Sequence, residues 1–376
     1  MTVFNIFFLN YCLIIIEGIF LVYKPQANNQ LTQQQKDKRK LHFVVIACIQ
    51  WILISGLRAD VVGMDTINYL QNFDSHCKLP WDSVLRNMVD YYKWGGLYDY
   101  FEPGYLLYER LMGAISTNHE FYKFSVAIIF MAAFGRFVYK NAQDPVMSFA
   151  LYSSFFYNMF SLTGYRQVLS VSIGILWAYE YVKNRNLIKF IIAVLIASTI
   201  HKSTLMFLPF YFLANLKISK KYMFAVAAVA MFFLIFKNRI FSIVSMLVGY
   251  DEYSALDVGS PITFTIFLGI IYVLVVAKYN DVIQITNTKH INQYYNGFFI
   301  AVMIVFAAYV NPTAMRMVYD FLFMLMPLLG EVLKSFKRQE NRTCAYLLAF
   351  LALGSRLLYG ATPYMFFWED TMRLFR

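Results

Sequence analysis

Charged side chains are scarce in this sequence. Only 15% of its 376 residues are Asp, Glu, Lys or Arg, whereas an ordinary water-soluble domain carries about 25%. That shortage argues against a soluble globule. Short segments alternating apolar and polar residues are also missing, which argues against a membrane β-barrel. No internal repeat and no soluble domain stands out. The four cysteines, at 12, 48, 77 and 344, show neither metal-ligand spacing nor a disulfide framework. Asp-x-Asp pairs, Gly-x-Ser-x-Gly and phosphate-loop motifs are absent, which weighs against metal hydrolases, serine hydrolases and P-loop enzymes. No metal and no cofactor is expected.

Apolar residues are plentiful. The chain is 59% hydrophobic with a mean hydropathy of +0.51, and apolar runs near the roughly 20 residues of a bilayer crossing recur along it. This predicts an all-α polytopic membrane protein, a single integral membrane domain over 1–376 with the lipid bilayer as its first partner. The net charge of +11 does not point to nucleic acid, because the basic residues cluster in short loops between apolar runs, as in cytoplasmic loops. Alternating the runs by that rule gives spans at 3–23, 41–57, 121–138, 146–162, 166–182, 187–200, 203–216, 222–236, 261–277, 295–310, 317–332 and 343–359. That is about twelve transmembrane helices, with both termini outside. Segment 3–23 has no basic lead-in and no clear cleavage site, so it reads as a retained span.

The longest non-spanning segment is 58–120, an external loop region. It holds five Lys/Arg against nine Asp/Glu, a net of −4, opposite in sign to the inner loops. It is rich in Trp81, Tyr91, Tyr92, Trp94, Tyr98, Tyr100 and Phe101, side chains that favour a membrane–water boundary. Residues 81–94 suit an amphipathic surface helix, and 103–116 is apolar but short, as a re-entrant helix would be.

Five cations are not explained by topology: Arg58, Arg166, His201, Lys202 and Arg316, each isolated at an external helix end. Charge at membrane depth marks a pathway, a partner or a site; the plainer alternative is snorkelling to headgroups or pairing with a nearby carboxylate. Arg58 has Asp60 close by as a partner. Arg316 and Asp320 stand one helical turn apart, so a local ion pair is expected. Arg166 opens a helix, where a cation opposes the dipole and an anion would offset it. His201 and Lys202 together offer donors for a diphosphate, or a base. Among the acids, Asp65 follows Gly63 and reads either as a helix cap or as a site residue. Glu102, before Pro103, reads either as a favourable charge at a helix start or as a catalytic acid.

The stretch Leu57-Arg58 with Val62-Gly63-Met64-Asp65-Thr66-Ile67-Asn68-Tyr69 resembles the opening motif of the EpsG family, Wzy-like bacterial polysaccharide polymerases. Glu102-Pro103-Gly104-Tyr105, Tyr165-Arg166-Gln167 and His201-Lys202-Ser203 resemble the same family in order, and Pro363-Tyr364 is a weaker echo. The resemblance implies a GT-C-like glycosyltransferase in the bacterial inner membrane. It would transfer a growing glycan from undecaprenyl diphosphate to a hydroxyl of an incoming lipid-linked oligosaccharide at the periplasmic face. A chain-length regulator protein is a further partner on this reading. The expected base is Asp65, then Glu102, with His201 also catalytic. Arg58, Arg166, Lys202 and Arg316 would grip the diphosphate, and Asn68, Tyr69, Tyr105 and Gln167 the sugars. A flippase of the same lipid-linked sugars, or an O-antigen-ligase-like transferase, is the alternative.

Overall fold

A computed structural model describes residues 5–27, 31–94, 102–248, 262–286, 289–309, 315–359 and 363–369. Every regular element among these residues is helical, and the sole extended pairing is one antiparallel bridge between Arg58 and Phe366. Four helices are long and apolar enough to cross a membrane: Ile6–Ala27, Gln33–Gly56, His119–Asn141 and Lys220–Ile240. Ile262–Ala277 and Tyr279–Ile285, bent by 57°, make a fifth if counted as one span. Pro145–Phe156 and Leu187–Ser198 are apolar but shorter.

Local sequence sets these limits. Thr32 and Gln35 form a reciprocal capping box that starts Gln33–Gly56 ahead of its apolar run, so the basic stretch 36–40 is helical rather than a loop. Asn118 caps His119–Asn141 by accepting from the Phe121 amide. Two expected spans are not continuous. Region 203–216 is a 3-10 turn, Lys202–Phe207, and a short helix, Phe210–Leu213, separated at Pro209, which has no amide hydrogen to carry a helix through. Region 317–332 divides into Met315–Leu322 and Leu325–Lys334. There Pro327 cannot donate to the Phe323 carbonyl one turn earlier, and the helix breaks at that point.

The interior is built from rings. Trp51 lies against Phe7, Tyr152 and Tyr157, while Phe160 joins Phe130 to Phe323. The outside is apolar too: Phe224 is 77% and Leu351 69% exposed, an exterior suited to lipid rather than water.

At one end of this bundle the chain leaves Gln33–Gly56 and meets its own tail. Ala59 N–H donates to Met365 O at 2.9 Å, Phe367 N–H to Leu57 O at 2.9 Å, and the Tyr364 hydroxyl to Ile54 O at 2.9 Å. Residues 81–94 form the helix Trp81–Trp94, with Val84 and Tyr91 turned inward. The segment expected to be re-entrant is the 13-residue helix Pro103–Ile115. Tyr98, Tyr100 and Phe101, and residues 249–261, where a loop ending near Ser260 is expected, lie outside the described residues.

Candidate active site

The first wall of the site is the turn after Leu57. Gly63 has φ +103°, a conformation glycine adopts without penalty. The Thr66 hydroxyl donates to Val62 O at 2.8 Å and to Leu162 O at 2.9 Å, pinning the turn to the end of a neighbouring helix. Asp65 then occupies the cap position of helix Thr66–His76, but its side chain makes no capping bond. It turns instead to Arg316, whose Nη2 donates to Asp65 Oδ2 at 2.9 Å.

The second wall joins three of the sequence motifs. Gly104 N–H donates to Thr199 O at 2.8 Å, and a side chain on Gly104 would collide with Thr199, so only glycine lets the two backbones approach this closely. That approach sets Glu102 against the 199–203 turn. Gly164, at φ +64°, ends one helix and starts Tyr165–Val171, which swings Arg166 toward the same carboxylate. Arg166 Nη1 donates to Glu102 Oε2 at 2.6 Å, and His201 Nδ1 lies 3.1 Å from Glu102 Oε1. Glu102 is the anion that the helix-opening Arg166 called for.

Burial alone would push the Glu102 carboxyl up. The His201 hydrogen bond and the Arg166 charge overcome that and hold it down at about 2. His201 goes below its ordinary value, chiefly because it is buried; the Glu102 bond opposes this, and the charges of Arg166 and Arg316 reinforce it. The ring is therefore neutral at pH 7. A carboxylate can only accept, so the proton sits on Nδ1 and Nε2 is left as an acceptor.

Gln167 ties the two walls together. Its Nε2 donates to Arg316 O at 2.9 Å and to Asp320 Oδ1 at 2.9 Å. The expected Arg316–Asp320 pair is thus not formed: Asp320 is taken by Gln167, and the Arg316 guanidinium reaches Asp65. Among the described residues, the buried Gln167 Oε1 and Ser203 Oγ have no hydrogen-bond partner.

The other named residues are placed as follows. Lys202 is exposed, its Nζ 5.1 Å from the centre of the Tyr91 ring. Asn68 is exposed on Thr66–His76. Tyr69 stacks on Tyr165 with centroids 4.8 Å apart and is a neighbour of Arg166. Tyr105 is buried, with its hydroxyl 2.7 Å from that of Tyr122. Arg58 stands apart from the other cations. It is 1% exposed and donates to the carbonyls of Ser55, Val62 and Leu162 and to the Tyr165 hydroxyl. Nor does Arg58 pair with Asp60: Asp60 accepts from Lys123 Nζ at 2.6 Å and lies 2.8 Å from His119 Nδ1.

Sequence reasoning missed Lys123, which is fully buried yet carried in the first turns of an apolar helix. It also missed a buried chain in which His76 Nδ1 lies 2.5 Å from Glu109 and the Tyr122 hydroxyl donates to Glu109 at 2.9 Å. The available signal was charge within helices otherwise apolar enough to be buried.

These elements define a polytopic helical membrane protein with a polar cluster in which carboxylates hold two arginines and a neutral histidine at one end of the bundle. The sequence model of the EpsG family matches residues 41–369, nearly the whole chain, and the chain belongs to the EpsG family. It is a membrane protein of polysaccharide biosynthesis. No curated protein and no solved structure matches it.

Proposed function

We propose that this protein is a polysaccharide polymerase with a GT-C-like arrangement of about twelve spans, acting at the outer face of a bacterial inner membrane. Its substrates are oligosaccharide repeat units carried on undecaprenyl diphosphate. The acceptor hydroxyl oxygen attacks the anomeric carbon of the growing glycan. The bond from that carbon to the diphosphate oxygen breaks, and its electron pair leaves with undecaprenyl diphosphate. The hydroxyl proton passes to Asp65.

The observation that supports this reading is that Arg166 and Arg316 both lie close enough to His201 to act on it, each oriented by a carboxylate yet 37% and 26% exposed in its side chain. Such a pair stabilises the charge that grows on a departing diphosphate, and Lys202 adds a third cation. Glu102, acidic and only 7% exposed, is a poor base; its role is to hold Arg166 and fix the His201 tautomer. Asp65, 31% exposed, is the base. Asn68, which is exposed, faces the sugars, whereas Arg58, Tyr105 and the buried Tyr69 are scaffold.

The test is purified protein in lipid with defined lipid-linked repeat units. Chain lengthening that is lost in Asp65→Asn and Arg316→Gln is the expected result. Movement of the units across the bilayer without bond formation would make it a flippase, and transfer only to a different lipid anchor would make it a ligase.

A further inference from the structure

Away from the site, the Ile6–Ala27 helix and the Gln339–Tyr359 helix enclose a cleft of 1220 Å³. The cleft opens on the apolar exterior, where its lining residues Leu347, Leu351 and Leu358 are exposed. Its walls are tied at one end by Asn5 Nδ2 donating to Leu357 O at 2.7 Å and the Tyr11 hydroxyl to Phe350 O at 2.5 Å. At the other end, the Tyr23 and Tyr346 hydroxyls both donate to Asp144, at 3.1 and 2.7 Å. Between these ties the lining is apolar, with Phe8, Ile15, Ile19, Leu347, Leu351 and Leu358 among it. The 22-residue wall Ile6–Ala27 is roughly 33 Å tall, about the height of a bilayer core.

The two ends differ in charge. Lys334 and Arg342 line the cleft only at the Tyr23 end, and Lys40 lies close to Lys334 there. Lys334 donates one bond to Gln143 O at 3.3 Å and Arg342 one to Gln339 Oε1 at 3.2 Å. Among the described residues neither has a carboxylate within ion-pair distance, and the nearby Asp144 is occupied by Tyr23, Tyr346 and the Met147 amide. Cation donors therefore remain open at the mouth of an apolar slot of membrane height. We propose that this cleft holds an acidic phospholipid, its acyl chains between the first and last helices and its phosphate on Lys334 and Arg342. The site is separate from the proposed polymerase site and does not depend on it.

The experiment is native mass spectrometry of the full chain, exchanged into detergent with phosphatidylglycerol or phosphatidylcholine. One phosphatidylglycerol should be retained in preference to phosphatidylcholine. Lys334→Gln with Arg342→Gln should weaken that retention by about 30-fold, from two cations at a membrane surface. Ser355→Trp, filling the exposed lining with the cations intact, should expel the lipid while leaving the protein folded. Equal retention of both lipids, or no change in the double variant, overturns the proposal. Cross-linking of two copies through Cys12, which lines the cleft, would show a second chain in the slot and overturn it as well.

Discussion

Asp65 and Arg316 hold each other at 2.9 Å across 251 positions of sequence. The pair joins the turn after the second helix to the start of Met315–Leu322, while Gln167 occupies Asp320. Had Arg316 paired with Asp320 in its own helix, its guanidinium would be absorbed in a local contact. Instead the cation stays partly exposed and is aimed by a carboxylate that is itself partly open.

Replacing either partner should therefore separate activity from folding. Asp65→Asn removes a base and should slow glycan transfer by about 10²–10⁴-fold. Arg316→Gln removes a charge from the leaving diphosphate and should cost about 10²–10³-fold. Both side chains are partly exposed, so thermal unfolding in detergent should move little. Initial rates with lipid-linked units measure the effect, and a loss of less than about tenfold in both variants would remove this pair from the mechanism.

Glu102 gives a pH prediction. Its folded value, about 2, lies below its ordinary value of 4.5. The ionised carboxylate thus favours the fold fully above about pH 4.5, and that contribution is lost as pH falls toward 2. Glu102→Gln should lower stability at neutral pH by on the order of 2–3 kcal/mol. The gap to the parent protein should stay constant from pH 8 to 5 and narrow below 4.5. Melting curves across that range test it; a gap that widens on acidification contradicts the assignment.

Arg58 and Arg166 look alike in sequence, each an isolated arginine at a helix end, and should behave differently. Arg58→Gln strips hydrogen bonds from three buried carbonyls and should cost roughly 3 kcal/mol or more. Arg166→Gln, which takes one partner from the buried Glu102, should lose some stability but leave a folded protein with little transfer activity. Size-exclusion profiles and melting temperatures distinguish the two outcomes, and a well-folded, inactive Arg58→Gln would return Arg58 to the diphosphate clamp.

The helical class and the motifs that come together in the candidate site were legible in the sequence because both follow from local rules. Apolar runs report burial in lipid, and an arginine at a helix start announces that an anion is needed. The partners were not legible, because they are long-range. Glu102 reaches Arg166 and His201 only through the close approach of Gly104 to Thr199, and a one-dimensional reading assigns Arg316 its nearest acid, Asp320. Burial of Arg58 and Lys123 was invisible for the same reason: their acceptors are carbonyls and an aspartate supplied by neighbouring segments. Helix continuity failed at Pro209 and Pro327, where the apolar pattern runs on but the backbone bond is missing.

The turn that aims Asp65 supplies the last prediction. At φ +103° an L-side chain is strained, and a methyl group on Gly63 would also meet the Leu162 carbonyl oxygen and the Thr66 hydroxyl. Those two groups hold the turn to the neighbouring helix, so the added carbon must push 62–66 away and take Asp65 off Arg316. Gly63→Ala should lower stability by about 1–3 kcal/mol and reduce transfer in the protein that still folds. The adjoining Met64 is 91% exposed, and Met64→Ala should change stability by no more than about 0.5 kcal/mol. Melting temperatures and transfer rates of the two variants, measured together, isolate the backbone effect. If Gly63→Ala matched Met64→Ala in both, the turn would not be what positions the carboxylate.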